Sequence, residues 1–332
     1  MPHLVAAPDK FRGTATAGDL AAAFATVAHA AGWTSDAVPV ADGGEGLLDV
    51  LPGRLRWAEV RDPLGRPVRA AWKLDGTAAV VEMARASGLA LVGGPAGNDP
   101  VAADTAGTGQ LIAEAVKAGA KQVLVGVGGS ATTDGGLAAV RVLEPHSRLH
   151  GVHLLVACDV ETRFLDAAPQ FSPQKGASPT QVEFLTRRLE RLAVLYQDTY
   201  GIDVRPLVGG GAAGGLAGGL AAIGAQLAPG FELVADAVDL AGRMEGADLV
   251  VTGEGLLDEQ SFHGKAVGGV VALAREVGVP VVVIAGDVDW SRVGDVPARC
   301  VSLVQRCGPE RAWGDTVACA SEVLAALLAE WG

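Results

Sequence analysis

"QVLVGVGGSATTDGG", Gln122 to Gly136, joins an apolar run of strand length to a loop of glycines, small hydroxyl residues and one aspartate. The run reads as a buried strand, and the loop is too small and polar to bury an interior of its own. Glycines let backbone N–H groups face an anion, and a helix start after Asp134 would add a partial positive charge. Ser130, Thr132 and Thr133 add hydroxyl donors. In open α/β sheets ligands bind outside the carboxyl ends of strands, so this stretch predicts both a fold class and the position of a site.

The same texture recurs along the chain. "HLVAAP", "DAVPVA", "HLLVAC", "DLVVTG", "PVVVIAG" and "RCVSLV" are further strand-length apolar runs, and helical patterns over Ala17–Ala31, Gly109–Ala118, Thr180–Tyr196, Lys265–Val277 and Thr316–Trp331 separate them. Ser178 before Pro179 offers an N-cap with proline at the first helical position, and Gly119 stands where a helix would end. Between Trp57 and Met83 the texture turns to short β-prone runs broken by "DPLG" and "LDG", the pattern of antiparallel hairpins. The final third returns to βα alternation. The chain therefore reads as two α/β domains, residues 1–57 plus 236–332 forming one and residues 58–235 inserted into it.

Composition narrows the function. Of 332 residues, 49% are hydrophobic and 19% charged, enough apolar material for packed interiors. The net charge of −12 repels a phosphate backbone, so no nucleic acid is expected as partner. Four cysteines without CxxC spacing argue against a zinc site or a disulfide framework and for reduced thiols in a cytoplasm. Pro206–Phe231 carries no charge and is long enough to span a bilayer, but glycine and alanine dominate it and basic flanks are missing. It reads as a buried helix against a sheet, and no membrane partner is expected.

Four strand ends carry chemistry. "APDKFRG" sets Asp9, Lys10 and Arg12 after a strand, cations suited to an anionic ligand; a solvated turn is the plainer reading. "ADGGEG" sets Asp42 and Glu45 about Gly43 and Gly44, carboxylates able to hold Mg²⁺ or orient a hydroxyl, or an ordinary acidic turn. The opening loop offers Gly128, Gly129, Ser130 and Thr132 to a phosphate, with Asp134 as metal ligand or base; a tight connection is the alternative. "TGEGLLDEQSFHGK" places Glu254, Asp258 and Lys265 in one loop, anions for magnesium and a cation for a moving phosphate, against a solvated loop. Lys175 adds a cation beside glycine in "PQKGA". His263 reads as structural. "GVGGSA" also matches G-x-G-x-x-A, a weak argument for an NAD-dependent oxidoreductase, because it stands mid-chain.

Taken in order, "APDKFRGT", "ADGGEG", "VVEMARASGLALV", "DTAGTGQLI", "GVGGSATTDGG", "VACDV", "PQKGA", "GGGAAGGLAGG" and "TGEGLLDEQSFHGKA" resemble the bacterial glycerate kinase family of type I over most of the chain. The resemblance implies a Rossmann-like parallel-sheet domain with a second mixed α/β domain inserted, the two facing each other across a cleft. It implies ATP-dependent phosphorylation of glycerate, usually on the 2-hydroxyl, with magnesium. Under it Asp134, Asp42, Arg12 and Lys265 would act in catalysis, Glu254 and Asp258 would hold the metal, and Asp9, Lys10, Gly43, Gly44, Glu45, Gly128, Gly129, Ser130, Thr132 and Lys175 would bind substrate and phosphate. Lys10 and Arg12 stand where the family has serine and lysine, Thr133 where it has asparagine, and Leu256-Leu257 where it has an arginine-isoleucine pair. Roughly thirty residues are missing after the opening loop by comparison with typical connection lengths. These departures keep a second reading open, a non-catalytic relative that binds ligand without turnover.

Overall fold

The computed structural model describes residues 1–262, 265–294 and 298–331. They divide into two compact units, Met1–Asp42 with Asp49–Leu51 and Phe231–Gly332, and Gly43–Leu48 with Pro52–Gly230.

The first unit is Rossmann-like. Its parallel sheet runs in the order Arg299–Ser302, Val281–Ala285, Leu249–Thr252, His3–Ala6, Thr34–Ala37. Central strands covered on both faces read as unbroken apolar runs, and Leu249–Thr252 and Val281–Ala285 are buried at every position. Leu4, Phe24, Val251, Ile284 and Leu324 meet in the core with helices Ala17–Ala30 and Thr316–Glu330. Thr16 and Asp19 close a capping box at the start of the first helix. The strand expected over "DAVPVA" covers Thr34–Ala37 instead. Pro39 has no N–H to give a ladder, yet Val38 and Val40 still donate to the carbonyls of Ala6 and Pro8. The strand order turns back between His3–Ala6 and Leu249–Thr252, which makes the carboxyl ends of those two strands the topological switch point.

The second unit is a mixed sheet in sequence order, Arg54–Arg61, Pro67–Asp75, Ala78–Glu82, Gln122–Gly126, His153–Ala157, Gln226–Ala228. The first three strands are antiparallel and the rest parallel. The "DPLG" turn closes as its residues require. Asp62 Oδ1 accepts from the amides of Leu64 and Arg66, and Gly65 adopts φ 83°. Val81, Val123, Val125, Leu154 and Val156 share one face, packed against Leu111 and Ile112 of helix Ala106–Lys117 and Leu216 and Leu220 of helix Ala212–Ala222. Helix Pro179–Tyr200 starts at a Ser178–Gln181 capping box. The uncharged stretch 206–231 is no membrane span: its helix has eleven residues with left-handed Ala213, Gly214 and Gly215, and a three-residue strand follows, too short to show periodicity. No helix among the described residues is long and apolar enough to cross a membrane.

Candidate functional site

At the switch point of the first unit two strand exits run side by side. Ala7 and Asp9 donate their amides to the carbonyls of Val251 and Gly253, both at 2.8 Å, and Thr252 Oγ1 donates to Ala7 O. The pairing brings Asp9, Lys10 and Glu254 together with Asp42. Lys10 Nζ stands 3.6 Å from Asp9 Oδ1 and 4.0 Å from Asp42 Oδ1, and the Lys10 amide donates to Asp9. Burial raises the Asp9 carboxyl to about 6, with Lys10 opposing and Asp42 reinforcing the shift. Burial likewise lifts Glu254 to about 7, against a hydrogen bond from Ser261 and the charge of Lys265, with Asp9 and Asp258 adding repulsion. Glu254 Oε1 is buried without a hydrogen-bond partner among the described residues.

The remaining candidates of this unit sort by what they touch. Asp258 Oδ1 accepts from the amide and hydroxyl of Ser261, so that oxygen is engaged in its own turn. Lys265 is the N-cap residue of helix Ala266–Glu276. Arg12 is exposed. His263 lies outside the described residues. Among the described residues no three His, Cys, Asp or Glu side chains gather as a metal cluster. The donor set still fits magnesium, which commonly takes one or two carboxylates and fills its octahedron with water and substrate phosphates. The unpartnered oxygen of Glu254, beside Asp9, could hold it.

In the second unit the glycines of the opening loop are spent largely on the chain itself. A methyl group on Gly126 would lie 2.6 Å from Leu47 Cδ1, and one on Gly128 2.9 Å from Gly44 Cα. One on Gly129 would meet the Glu45 carboxylate, and one on Gly136 would lie 3.0 Å from Leu216 Cα. "GGEG" therefore lies backbone to backbone on "GVGG", and "TTDGG" on the glycine-rich helix. Glu82, 1% exposed, pins the first of these contacts. Its Oε1 accepts from the amides of Gly46 and Leu48 at 2.8 and 3.1 Å, and its Oε2 from Arg85 Nε at 2.9 Å.

What the loops leave open is a cavity of about 480 Å³, lined by Glu45, Gly128, Gly129, Ser130, Asp159 and Lys175 among others. That volume suits a small ligand. Lys175 is 3% exposed, and its Nζ donates to Thr132 O at 2.6 Å and Ser130 Oγ at 3.3 Å. Burial lowers its pKa to about 7, against the pull of Asp134. Asn98 Nδ2 ties the wall together by donating to Ala131 O and Lys175 O at 3.0 and 2.9 Å.

Asp134 is not part of the lining. Its Oδ2 accepts from Thr105 N, Thr105 Oγ1 and Ala138 N, and its Oδ1 from Gly136 N. The helix start expected to lend its amides to an anion lends them to Asp134: the helix, Leu137–Val142, has six residues and follows a left-handed Gly136. Burial raises the Asp134 carboxyl in spite of these donors. Thr133 Oγ1 is buried without a partner among the described residues. Glu82, Asn98, Thr105 and Asp159 escaped the sequence reading as site residues. Glu82, Thr105 and Asp159 lie inside motifs that carried the resemblance, whereas Asn98 looks like a turn former before proline.

Comparison with known proteins places the chain. The profile of the glycerate kinase family matches residues 4–145 and 137–308. A glycerate kinase of Bacillus subtilis is 38% identical over 327 residues, covering 86% of this chain and 85% of its own. A glycerate 2-kinase of Escherichia coli K12 is 37% identical over 326 residues, covering 85% and 84%. A crystal structure of a proposed glycerate kinase 2 from Salmonella typhimurium LT2 superposes with a TM-score of 0.85 at 34% identity, covering 99% of this chain and 98% of that one.

Proposed function

This chain belongs to the glycerate kinase family, and we propose that it uses ATP with magnesium to phosphorylate D-glycerate on its 2-hydroxyl, giving 2-phosphoglycerate. It is a kinase, a phosphotransferase with an alcohol group as acceptor. The observation that carries the finer reading is the switch point, where Asp9 and the unpartnered oxygen of Glu254 lie beside Lys10 and Asp42. The product assignment follows the name of the Escherichia coli relative.

Glu254 and Asp9 would hold magnesium, which when bound neutralises charge on the nucleotide phosphates. The acceptor oxygen forms a bond to the γ-phosphorus as the bond to the β-phosphate oxygen breaks, and ADP leaves with that electron pair. Asp42 takes the proton from the glycerate hydroxyl. Lys175, backed by Ser130, binds an anionic oxygen of substrate or nucleotide, and Arg12 and Lys265 supply further positive charge. Asp134, already holding four donors, keeps the Gly128–Gly136 loop in shape. Lys10 balances the two aspartates beside it.

Coupled ADP release with D-glycerate, followed by phosphorus–proton NMR of the product, tests the reading. Turnover with phosphate on carbon 2 is expected, and Glu254→Gln should lose it while still folding. A folded protein that binds ATP and releases no ADP with glycerate would overturn it in favour of the non-catalytic relative.

A further inference from the structure

The second unit holds another hollow, of about 560 Å³, where the edge strand Arg54–Arg61 meets the carboxyl end of helix Ala106–Lys117. Arg54, Arg56, Trp57, Trp72, Glu114 and Lys117 line it with little else. Within this unit it lies at the other end of the helix from the loop already described. Thr105, at the amino end, bonds Asp134, and twelve helical residues span about 18 Å.

We propose that this hollow binds a small molecule carrying a flat ring and an anionic oxygen group, such as an aromatic carboxylate. Charge supports the anion. Lys117 already pairs with Glu114 at 3.2 Å, while Arg54 and Arg56 have no carboxylate partner among the described residues. The two arginines outweigh the partial negative charge of the helix end, and they do so on a chain whose overall charge is −12. The indole of Trp72 supports the oxygen. It is 3% exposed, and its Nε1 is buried with no acceptor among the described residues, although indole N–H groups are rarely left unpaired when buried. Arg56 lies 5.6 Å above the Trp72 ring and is itself exposed, so its planar guanidinium offers a flat cationic surface on which a ring can stack.

The strand edge adds main-chain donors. Arg61 N–H points away from the neighbouring strand, donating to Gln110 Oε1 of the helix at 2.8 Å. The ladder from Arg54↔Leu74 to Arg61↔Pro67 is unbroken, so alternation turns the N–H and C=O groups of Leu55, Trp57 and Glu59 outward as well.

Isothermal titration calorimetry on the full chain tests the proposal, with 2-naphthoate as the anionic ring, cyclohexanecarboxylate as the anion without a flat ring, and 2-naphthol as the ring without charge. Binding of one 2-naphthoate per chain is expected, at least tenfold tighter than either control. The exposed double substitution Arg54→Glu with Arg56→Glu should weaken it at least tenfold with the melting temperature preserved. Trp72→Phe, which keeps a ring and removes the N–H, should weaken it several-fold. No binding, equal binding by the double variant, or equal binding of all three probes would overturn the proposal.

Discussion

Thr105 gives both its backbone N–H and its hydroxyl to one carboxylate oxygen of Asp134, at 3.0 and 2.8 Å, and the same hydroxyl accepts from the Ala139 amide. One threonine thus locks the start of helix Ala106–Lys117 to the Gly128–Gly136 loop and the short helix after it.

Asp134→Asn should therefore act on stability before chemistry. Whichever way the amide turns, a donor NH₂ replaces an oxygen that now accepts, and it faces at least one N–H. A loss of about 2–4 kcal/mol is expected, read as a fall in urea midpoint. Thr105→Val should cost about 1–3 kcal/mol by removing the hydroxyl bond to that oxygen and leaving the Ala139 amide without its acceptor. Unchanged midpoints in both variants would remove this lock.

Asn98 separates two kinds of loss. Asn98→Ala removes two bonds that hold the Lys175 turn against Ala131, at a cost of about 1–2 kcal/mol. Asn98→Asp is nearly the same size but sets a carboxylate against two carbonyl oxygens. It should be the more damaging variant in both melting temperature and KM for the anionic substrate.

Gly214 occupies a left-handed conformation, φ 67°, and a methyl group there would run into the Thr132 carbonyl oxygen, the acceptor for Lys175. Gly214→Ala should cost about 2–3 kcal/mol, a fall of roughly 5–10 °C in melting temperature. Gly278 also has positive φ, 76°, with open space around it, so Gly278→Ala should cost only about 1 kcal/mol of backbone strain. Equal losses would show that the contact with Thr132 contributes nothing.

Lys175 gives a pH signature. Its pKa falls from 10.5 to about 7 because burial disfavours the cation. Between those values the unfolded chain holds more protons than the folded one, so this group's contribution to stability rises with pH across the window. The melting temperature of the native chain relative to Lys175→Met should climb from about pH 7 to pH 9 and be flat below it. A flat difference throughout would mean that the lysine keeps its ordinary pKa.

Glu254 behaves in the opposite sense. With its pKa raised from 4.5 to about 7, the folded chain holds the extra proton between those values. Its contribution to stability is fully present below 4.5 and is lost as pH rises through 7. Magnesium, which needs the ionised form, should raise the melting temperature more at about pH 8 than at about pH 5.5. Glu254→Gln should erase that dependence, which calorimetry on the protein without nucleotide can follow.

Local pattern was enough to find most of the strands, the longer helices, the hairpin turn at Asp62 and the glycine-bearing loops at strand ends, because side-chain period, caps and glycines act within a few residues. Lys10, Asp42, Glu254 and Lys175 were legible because charges and glycines crowd the ends of apolar runs. Partners far apart in the chain were not. That Asp134 would be surrounded by donors from Thr105, that Asn98 would bridge to Lys175, and that the glycines of residues 126–136 would face other parts of the chain rather than open space all depend on contacts 29 to 84 positions away in sequence, for which no local signal exists. Residue types thus determined what chemistry the chain carries. The order of strands in two sheets decided which groups are spent holding the fold and which, such as the Glu254 oxygen, are left without a partner among the described residues.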